Sequence, residues 1–319
     1  LLKSFDNLDY SEALESNKEA QDWLESKNRR FGQLINGKFV TNKNSELIDS
    51  LDPSNGDLLA HIEIANSDQL ESAVKSARKA QPAWEELGGH GRAKVLYALA
   101  RLIQKHARLI SVLETLDNGK PIRESRDIDI PLAIRHFYHH AGWAQLQEKD
   151  FSSFESLGVV AQIVPWNFPL LMLSWKIAPA LAMGNTIVFK AAEQTPITAM
   201  FFAHLCEEAG IPPGVINVVF GDPVMITDTI LASPDFSGLH FTGSTHIFKD
   251  LWKQIGNNIH NYKTYPRIVG ETGGKDFIIA HPSANYKQVA TGMLRGAFEF
   301  QGQKCSAASR AYIPQSLWP

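Results

Sequence analysis

One thiol and one carboxylate stand in short segments of the kind that enzymes use for covalent chemistry. Cys305 ends the run Gly302–Cys305 (GQKC), and Glu271 begins the glycine-containing run Glu271–Lys275 (ETGGK). A thiolate is a strong nucleophile, and a carboxylate can activate water as a general base. A free thiol has a pKa of about 8.5, so its surroundings must favour the anion at neutral pH. These residue types suit attack on an electrophilic carbon and hydrolysis of the product.

Two further segments complete a set of four. Pro165–Pro169 reads PWNFP, and Lys190–Pro196 reads KAAEQTP. In this order the four segments resemble the P-W-N-F-P, K-P-A-E-x-T-P, E-L-G-G-K and G-Q-x-C motifs of the aldehyde dehydrogenase superfamily. The resemblance runs from about Asn36 to the last residue. Each motif is weak alone, but four in order, with the family's spacing between the last two, leave little room for chance.

The resemblance implies a role for each catalytic candidate. Cys305 is expected to attack the aldehyde carbon, and the Asn167 side-chain amide and the Cys305 backbone N–H are expected to bind the oxyanion of the adduct. Hydride then leaves for NAD, and a thioester remains on the sulfur. Glu271 is the expected general base for its hydrolysis, provided that burial raises its pKa toward neutrality. A helix terminus at Cys305 would favour the thiolate.

The resemblance also implies an NAD site. Lys190 and Glu193 match the residues that hold the adenosine ribose, and a carboxylate at Glu193 repels a 2′-phosphate, which favours NAD over NADP. A helix N-terminus is expected to face the pyrophosphate at the family's G-S-T turn, which matches Gly243, Ser244 and Thr245. Further contacts to the cofactor are expected from Ile163, Trp166 and Gly273. Phe248 stands where many relatives have a glycine, so this turn is expected to differ in detail.

The substrate prediction rests on the last part of the chain. The segment Pro234–Pro319 is most similar to 1-pyrroline-5-carboxylate dehydrogenase, which implies L-glutamate γ-semialdehyde as the substrate. The segment from Leu1 to about Pro213 is more similar to broad-specificity aldehyde dehydrogenases, which is the alternative. Two other readings are a catalytically incomplete NAD-binding fragment and a thiol enzyme that works without nicotinamide.

Three other patterns carry less weight. No G-x-G-x-x-G follows a predicted strand, and Gly270–Lys275 (GETGGK) is one residue short of a phosphate loop. Three histidines, His136, His139 and His140, have metal-binding spacing on a predicted helix. No carboxylate or thiol lies nearby in the sequence, so a solvated or core-edge histidine face of that helix is favoured over a metal site. No metal site is predicted. The second cysteine, Cys206, has helical neighbours that predict a packing role.

Hydrophobic periodicity predicts the elements that must position these residues. After Gly158, short runs rich in Val, Ile and Phe alternate with stretches of helical spacing. The predicted strands are Gly158–Val164, Thr186–Lys190, Val215–Phe220 and Gly238–Phe241. The predicted helices are Leu170–Met183, Ile197–Ala209, Met225–Leu231 and Ile247–Ile255. The pattern is typical of an α/β fold with a Rossmann-like parallel sheet, helices on both faces and ligands beyond the carboxyl ends of the strands.

The flanking regions predict the domain organisation. Helical spacing indicates a helix over Asn66–Ala83 and a longer one that carries Leu96–Leu113 and stops near Asn118-Gly119. A second alternation starts at Arg267. We therefore predict an NAD-binding domain with N-terminal helices over residues 1–266, and the beginning of a second α/β catalytic domain over 267–319. The family also implies an oligomerisation hairpin near 144–158 and a longer catalytic domain, so the chain is expected to be C-terminally truncated.

Composition and charge limit the kinds of partner that the chain is expected to bind. The 319 residues are 44% hydrophobic and 20% charged, a globular composition, and a net charge of −3 gives no basic field for nucleic acid. The longest apolar stretch is interrupted by charge and proline, so no membrane span is predicted. Only two cysteines and a polar, helically spaced start over Leu1–Arg30 favour the cytoplasm, with the mitochondrial matrix as an alternative. A small-molecule aldehyde is the expected partner, and a homo-oligomer is expected at full length.

Overall fold

Short strands and one helix form the first part of the chain. The computed structural model describes residues 14–318. The elements are α1 (Lys18–Ser26), β1 (Arg30–Phe31), β2 (Gln33–Ile35), β3 (Lys38–Val40), β4 (Leu47–Leu51) and β5 (Leu58–Glu63). β5 pairs with β1 in parallel and with β4 in antiparallel fashion, which makes a three-stranded sheet. The helix predicted from the spacing of the first residues is found over Lys18–Ser26; residues 1–13 lie outside the described part.

A helical region follows the small sheet. Its elements are α2 (Ser67–Glu86), α3 (Gly88–Lys105), α4 (Ala107–Asn118), α5 (Ile122–Glu124), a π-helical turn (Ser125–Asp129) and α6 (Ile130–Asp150). α2 begins with a capping box, in which Asn66 and Gln69 exchange side-chain to backbone hydrogen bonds. The longer helix predicted next is two helices, since the backbone leaves helical geometry at His106 (φ −101°, ψ 16°). Gly119, with φ 73°, ends α4 where the sequence predicts a stop.

The hairpin predicted near 144–158 is not formed in the described structure. α6 continues to Asp150, and the Phe151 N–H donates to the Gln147 carbonyl in helical fashion. α6 packs along α3, and a Cβ at Gly89 would lie 2.1 Å from the Ala144 carbonyl oxygen. Small residues therefore let the two helices approach closely, and this packing extends α6 into the region where the hairpin was expected.

The predicted alternation of strands and helices is confirmed after residue 158. The elements are β6 (Val159–Ile163), α7 (Pro169–Ala182), β7 (Thr186–Lys190), α8 (Ile197–Glu208), β8 (Ile216–Val219), α9 (Pro223–Ala232), β9 (Phe236–Thr242), α10 (Thr245–Asn257) and β10 (Arg267–Glu271). The strands β10, β9, β6, β7 and β8 pair in parallel in that order. The hairpin β2–β3 adds to β8 in antiparallel fashion, so the sheet is mixed at one edge.

The strand β10 belongs to the main sheet and not to the second domain that the sequence predicts. We predict a change of domain at Arg267, but β10 pairs with β9 through Glu271 as the edge strand of the main sheet. The register joins Glu271 to Thr242, so the nucleotide-type sheet continues five residues past the predicted boundary. The sequence pattern missed this because a strand that starts a new alternation looks the same as one that closes an old one.

Both faces of the main sheet are covered, as an α/β fold requires. Along β7, Ile187 and Phe189 point to one apolar core with α3, α4, α6, α7 and α8, and Val188 points to the other with α2, α9 and α10. This follows from the alternation of side chains along a strand. Over residues 14–318, no helix combines the length and the apolar character needed to cross a bilayer.

The last described residues form a small unit beside the main sheet. β11 (Phe277–Ile279), α11 (Tyr286–Phe298) and β12 (Arg310–Tyr312) make one strand–helix–strand unit, with β11 and β12 paired in parallel. This agrees with the second alternation predicted from the sequence. Its apolar side chains are largely exposed, and α11 contains no buried residue.

Candidate active site

A cavity of about 1000 Å³ lies at the carboxyl ends of the strands of the main sheet. This is the edge at which parallel sheets bind ligands. The cavity is lined by ten of the residues singled out from the sequence: Ile163, Trp166, Asn167, Lys190, Glu193, Gly243, Ser244, Glu271, Gly273 and Cys305. Thr245, the eleventh, begins α10 and lies outside the lining.

Asn167 lies in the tight loop between β6 and α7. Its Nδ2 donates to the Gln303 carbonyl at 2.7 Å, so the loop contacts the segment that carries Cys305. An amide nitrogen has two hydrogens, and the second remains able to donate. Two hydrogen bonds hold this loop in place: the Trp166 carbonyl accepts from Asn118 Nδ2 at 2.7 Å and from Thr195 Oγ1 at 3.3 Å.

Cys305 lies in an exposed turn that follows a short 3₁₀ helix at Glu299–Gly302. The turn does not stand at a helix N-terminus, so the helix-terminus stabilisation considered from the sequence is not supplied. A Cβ at Gly274 would lie 1.7 Å from the Cys305 carbonyl oxygen. Glycine is therefore required at Gly274 so that the ETGGK segment can approach the backbone of Cys305.

Glu271 ends β10 and is exposed at the cavity. The burial required by the sequence prediction for this carboxylate is therefore absent. A buried cation lies nearby: Lys176, on α7, donates from Nζ to Thr242 Oγ1 at 2.6 Å. Burial lowers the pKa of the Lys176 ammonium to about 8, and the charge of Glu271 opposes that shift. The Lys176 ammonium and the Glu271 carboxylate are therefore close enough to interact electrostatically.

The other end of the cavity has the chemistry of a nucleotide site. Lys190 ends β7 and forms an ion pair with Glu193 in the following loop. Ser244 caps α10, because its Oγ accepts from the Ile247 N–H at 3.3 Å. Unpaired N–H groups at the start of a helix bind anions such as phosphate. A carboxylate for ribose hydroxyls and a helix N-terminus for phosphate are therefore present at one cavity.

Phe248 does not enter the cavity. Its ring stacks on Phe241 with centroids 5.8 Å apart, and a Cβ at Gly270 would lie 2.1 Å from it. The ring therefore packs on the edge strand β10 at Gly270. The departure from the family's glycine at this position leaves the cap at Ser244 intact.

Several lining residues were not singled out from the sequence. They are Met172 and Trp175 on α7, Pro223, Val224 and Thr227 at α9, and Ile247, Asp250, Leu251 and Gln254 on α10. The positions 247, 251 and 254 share one helix face, so the helical period would have found them once that face was known to meet the cavity. Helical periodicity shows that α10 has an apolar face but not what the face touches.

The histidines and the second cysteine, which were given less weight in the sequence, have packing contacts in the structure. His136 packs edge-on against Trp175 at 5.4 Å between ring centroids. Within residues 14–318, no group of three or more His, Cys, Asp or Glu has a metal-binding arrangement. Cys206 is buried in the core, where burial raises the pKa of its thiol, so it is inert packing.

Comparison with known proteins identifies similar chains. The model of the aldehyde dehydrogenase family matches residues 39–319. The chain is 40% identical to the putative aldehyde dehydrogenase DhaS of Bacillus subtilis (strain 168) over 291 residues, which is 88% of this chain and 58% of that protein. It is 38% identical to aldehyde dehydrogenase family 2 member B4, mitochondrial, of Arabidopsis thaliana over 297 residues, 89% of this chain and 54% of that protein.

A solved structure is similar as well. The NAD+ complex of an aldehyde dehydrogenase from Bacillus cereus superposes with a TM-score of 0.85 at 34% identity, covering 95% of this chain and 62% of that one. The similarity therefore extends over nearly the whole chain. This chain spans little more than half the length of the two relatives compared by sequence.

Proposed function

The chain belongs to the aldehyde dehydrogenase family, and from that premise we propose that it oxidises an aldehyde to a carboxylic acid with NAD. One observation supports this most strongly. Cys305, Glu271 and Asn167 come from three segments far apart in the chain, yet all line one cavity whose other end suits a nucleotide. A nucleophile, a base and an amide donor are the groups that acyl chemistry on a thiol requires.

The residues present fit NAD. Glu193 offers a carboxylate to ribose hydroxyls, and Gly243 and Ser244 lead into the N-terminus of α10. A Cβ at Gly273 would meet no atom within 4 Å, so open space lies there for a flat ring. When bound, NAD supplies the hydride acceptor. The apolar sides of the cavity, at Val224 and Leu251, suit an adenine ring.

We propose the following roles for the side chains. The Cys305 thiolate attacks the aldehyde carbon, and the carbonyl oxygen becomes an oxyanion. The free N–H of Asn167 Nδ2 and the backbone N–H of Cys305 donate to that oxyanion, each contributing about 3 kcal/mol to lowering the barrier. Loss of hydride from the carbon leaves a thioester on Cys305. Glu271 then takes a proton from water, which attacks the thioester and releases the acid and the thiol.

For the substrate we propose L-glutamate γ-semialdehyde, on the resemblance of Pro234–Pro319 to 1-pyrroline-5-carboxylate dehydrogenase. A second candidate is a broad range of apolar aldehydes. It is favoured by Met172, Trp166 and Trp175, which make much of the cavity wall apolar. The ratio of kcat/KM for glutamate γ-semialdehyde to that for propanal separates the two. A ratio of about 100 or more supports the first, and a ratio near or below one supports the second.

The activity itself is tested by NADH formation at 340 nm with NAD and each aldehyde. We expect Cys305→Ala to abolish NADH formation, because the attacking sulfur is gone. Cys206→Ala is the matched control, since the buried Cys206 is not among the residues that line the cavity, and it should retain the activity of the parent. Saturable NAD binding without NADH formation by the parent would show a non-catalytic cofactor-binding chain. Ester hydrolysis that requires Cys305, together with neither NADH formation nor NAD binding, would show a thiol hydrolase instead.

A further inference from the structure

A fully buried cation lies beneath the loops that carry Asn167 and Cys305. Lys120 follows α4, and its side chain has no exposed surface. Its Nζ lies 3.4 Å from Glu114 Oε1 and forms a second ion pair with Asp129, and both carboxylates are also fully buried. A buried ion cluster of this kind is weak evidence for stability, because desolvation offsets much of the attraction. The contacts of the cluster therefore indicate whether it has a role other than stabilising the fold.

The cation also contacts two aromatic rings. Lys120 Nζ lies 4.2 Å from the centroid of the Phe168 ring and 4.9 Å from that of Phe300. An ammonium over the face of a ring is attracted to it, and more strongly when water is excluded. Phe168 directly follows Asn167, and Phe300 precedes Cys305 by five residues. One side chain thus holds a ring from each of the two segments.

The carboxylates strengthen the same link. Glu114 Oε2 accepts from the Leu170 N–H at 3.4 Å, at the start of α7 and beside the Asn167 loop. Burial raises the pKa of the Glu114 carboxyl, and the Lys120 ammonium opposes that shift. The cluster of Lys120, Glu114 and Asp129 therefore contacts the start of α7 through a backbone hydrogen bond and the preceding loop through the Phe168 ring.

The segment before Cys305 depends on such contacts for its shape. Phe300 and Gln301 have φ values of 49° and 52°, in the left-handed region that side chains other than glycine rarely adopt. Backbone of this kind persists only where its surroundings hold it in place. Phe300 is the buried member of the pair, and the Lys120 ammonium lies against its ring.

We propose that Lys120 is a positioning residue, which clamps Phe168 and Phe300 and so keeps the Asn167 amide at the distance from Cys305 that oxyanion binding requires. This rests on the proposed function, because only then does the spacing of amide and sulfur govern a reaction. The direct contact between the two segments, Asn167 Nδ2 to the Gln303 carbonyl, is the link that the clamp maintains.

The main test removes one ring and leaves the ion cluster intact. In Phe300→Leu we expect kcat to fall about tenfold while KM changes less than about twofold, because the oxyanion is bound in the transition state and not in the ground state. Phe298→Leu is the matched control, since Phe298 lies in the same segment but is 68% exposed, and it should leave kcat unchanged. An equal loss of kcat in both variants would overturn the proposal.

A second comparison separates positioning from general destabilisation. If Phe300 acts through Asn167, then Phe300→Leu should lower kcat by less than about twofold when Asn167→Ala is already present. A tenfold loss of kcat on adding Phe300→Leu to Asn167→Ala would mean that the Phe300 ring does not act through Asn167. Lys120→Met alone leaves two buried carboxylates without a cation. The combination of Lys120→Met, Glu114→Gln and Asp129→Asn, in which all three side chains are uncharged, is therefore used to remove the ammonium. It should reproduce the kcat loss of Phe300→Leu.

A third measurement does not depend on activity. We expect amide hydrogen exchange to accelerate at 165–170 and 299–305 in Phe300→Leu and in the neutral triple variant, with exchange in α8 unchanged. Faster exchange throughout the protein, or in neither segment, would overturn the clamp. A parent protein that forms no NADH would instead contradict the proposed function, and the exchange result would still decide whether Lys120 holds the two loops together.

Discussion

At the scale of single residues, the site depends on what each side chain touches rather than on its type alone. Asn167 donates one N–H to the Gln303 carbonyl, which orients the amide. Such preorganised donors act without reorganisation at the moment of reaction. Gly274 is required because a Cβ there would collide with the backbone of Cys305. Glu271 is exposed to the cavity, which gives water direct access to its carboxylate.

The role of Glu271 leads to a kinetic prediction. Because we place this carboxylate in the hydrolysis step alone, Glu271→Gln should form about one NADH per active site and then stall with the thioester on Cys305. Stopped-flow absorbance at 340 nm measures the burst, and mass spectrometry of the intact protein detects the acyl adduct. Cys305→Ser should give neither. Steady turnover by Glu271→Gln at the parent rate would remove Glu271 from the mechanism.

At the scale of elements, caps and strand ends set where functional side chains appear. β6, β7, β9 and β10 end side by side, so the residues at their carboxyl ends meet at one edge of the sheet. α10 is capped by Ser244, whose hydroxyl satisfies one N–H and leaves the other N–H groups of the first turn without a partner in the helix. α2 begins with the reciprocal hydrogen bonds of Asn66 and Gln69. Each of these features is set by a few adjacent residues.

The cap of α2 gives a stability prediction. Asn66→Ala removes the acceptor for the Gln69 N–H, so the free energy of unfolding should fall by about 1 kcal/mol. Urea unfolding followed by circular dichroism measures the change. Asn66→Ser keeps a side-chain oxygen at the cap and should lose only a few tenths of a kcal/mol. If the two variants were equally stable, the hydrogen bond would not be what holds the start of the helix.

At the scale of the whole molecule, one buried carboxylate joins three elements that are distant in the chain. Asp117, on α4, accepts from Ser50 Oγ of β4 at 2.6 Å and from the Ile197 N–H of α8 at 2.8 Å. Burial raises the pKa of Asp117 to about 7, although both hydrogen bonds oppose the shift. The folded protein therefore holds a proton at Asp117 under conditions in which the unfolded chain, with an Asp pKa of about 3.9, has lost it.

The sign of the pH dependence follows from that difference. Because the folded state binds more protons, the Asp117 contribution to stability is complete below pH of about 4 and is lost as the pH rises toward 7. Asp117→Asn should reduce the fall in unfolding free energy over that range by on the order of 2–4 kcal/mol. Urea titrations at several pH values measure the slope, with the exposed Asp57→Asn as the control. Equal slopes in the parent and in Asp117→Asn would contradict the assignment.

The sequence alone determined the α/β alternation, the start of α2 at Asn66, the end of α4 at Gly119 and ten of the residues that line the cavity. These depend on local chemistry: periodicity along a strand or helix, a cap, a glycine with positive φ, and motifs whose order identifies a family. The tertiary structure alone decided that β10 joins the main sheet, that α6 replaces the expected hairpin, and that Lys120 lies between Phe168 and Phe300. Such contacts join segments that are well separated in the chain, by 29 residues for Gly238 and Arg267 and by 136 for Asn167 and Gln303. They depend on how whole elements pack, which no local pattern encodes.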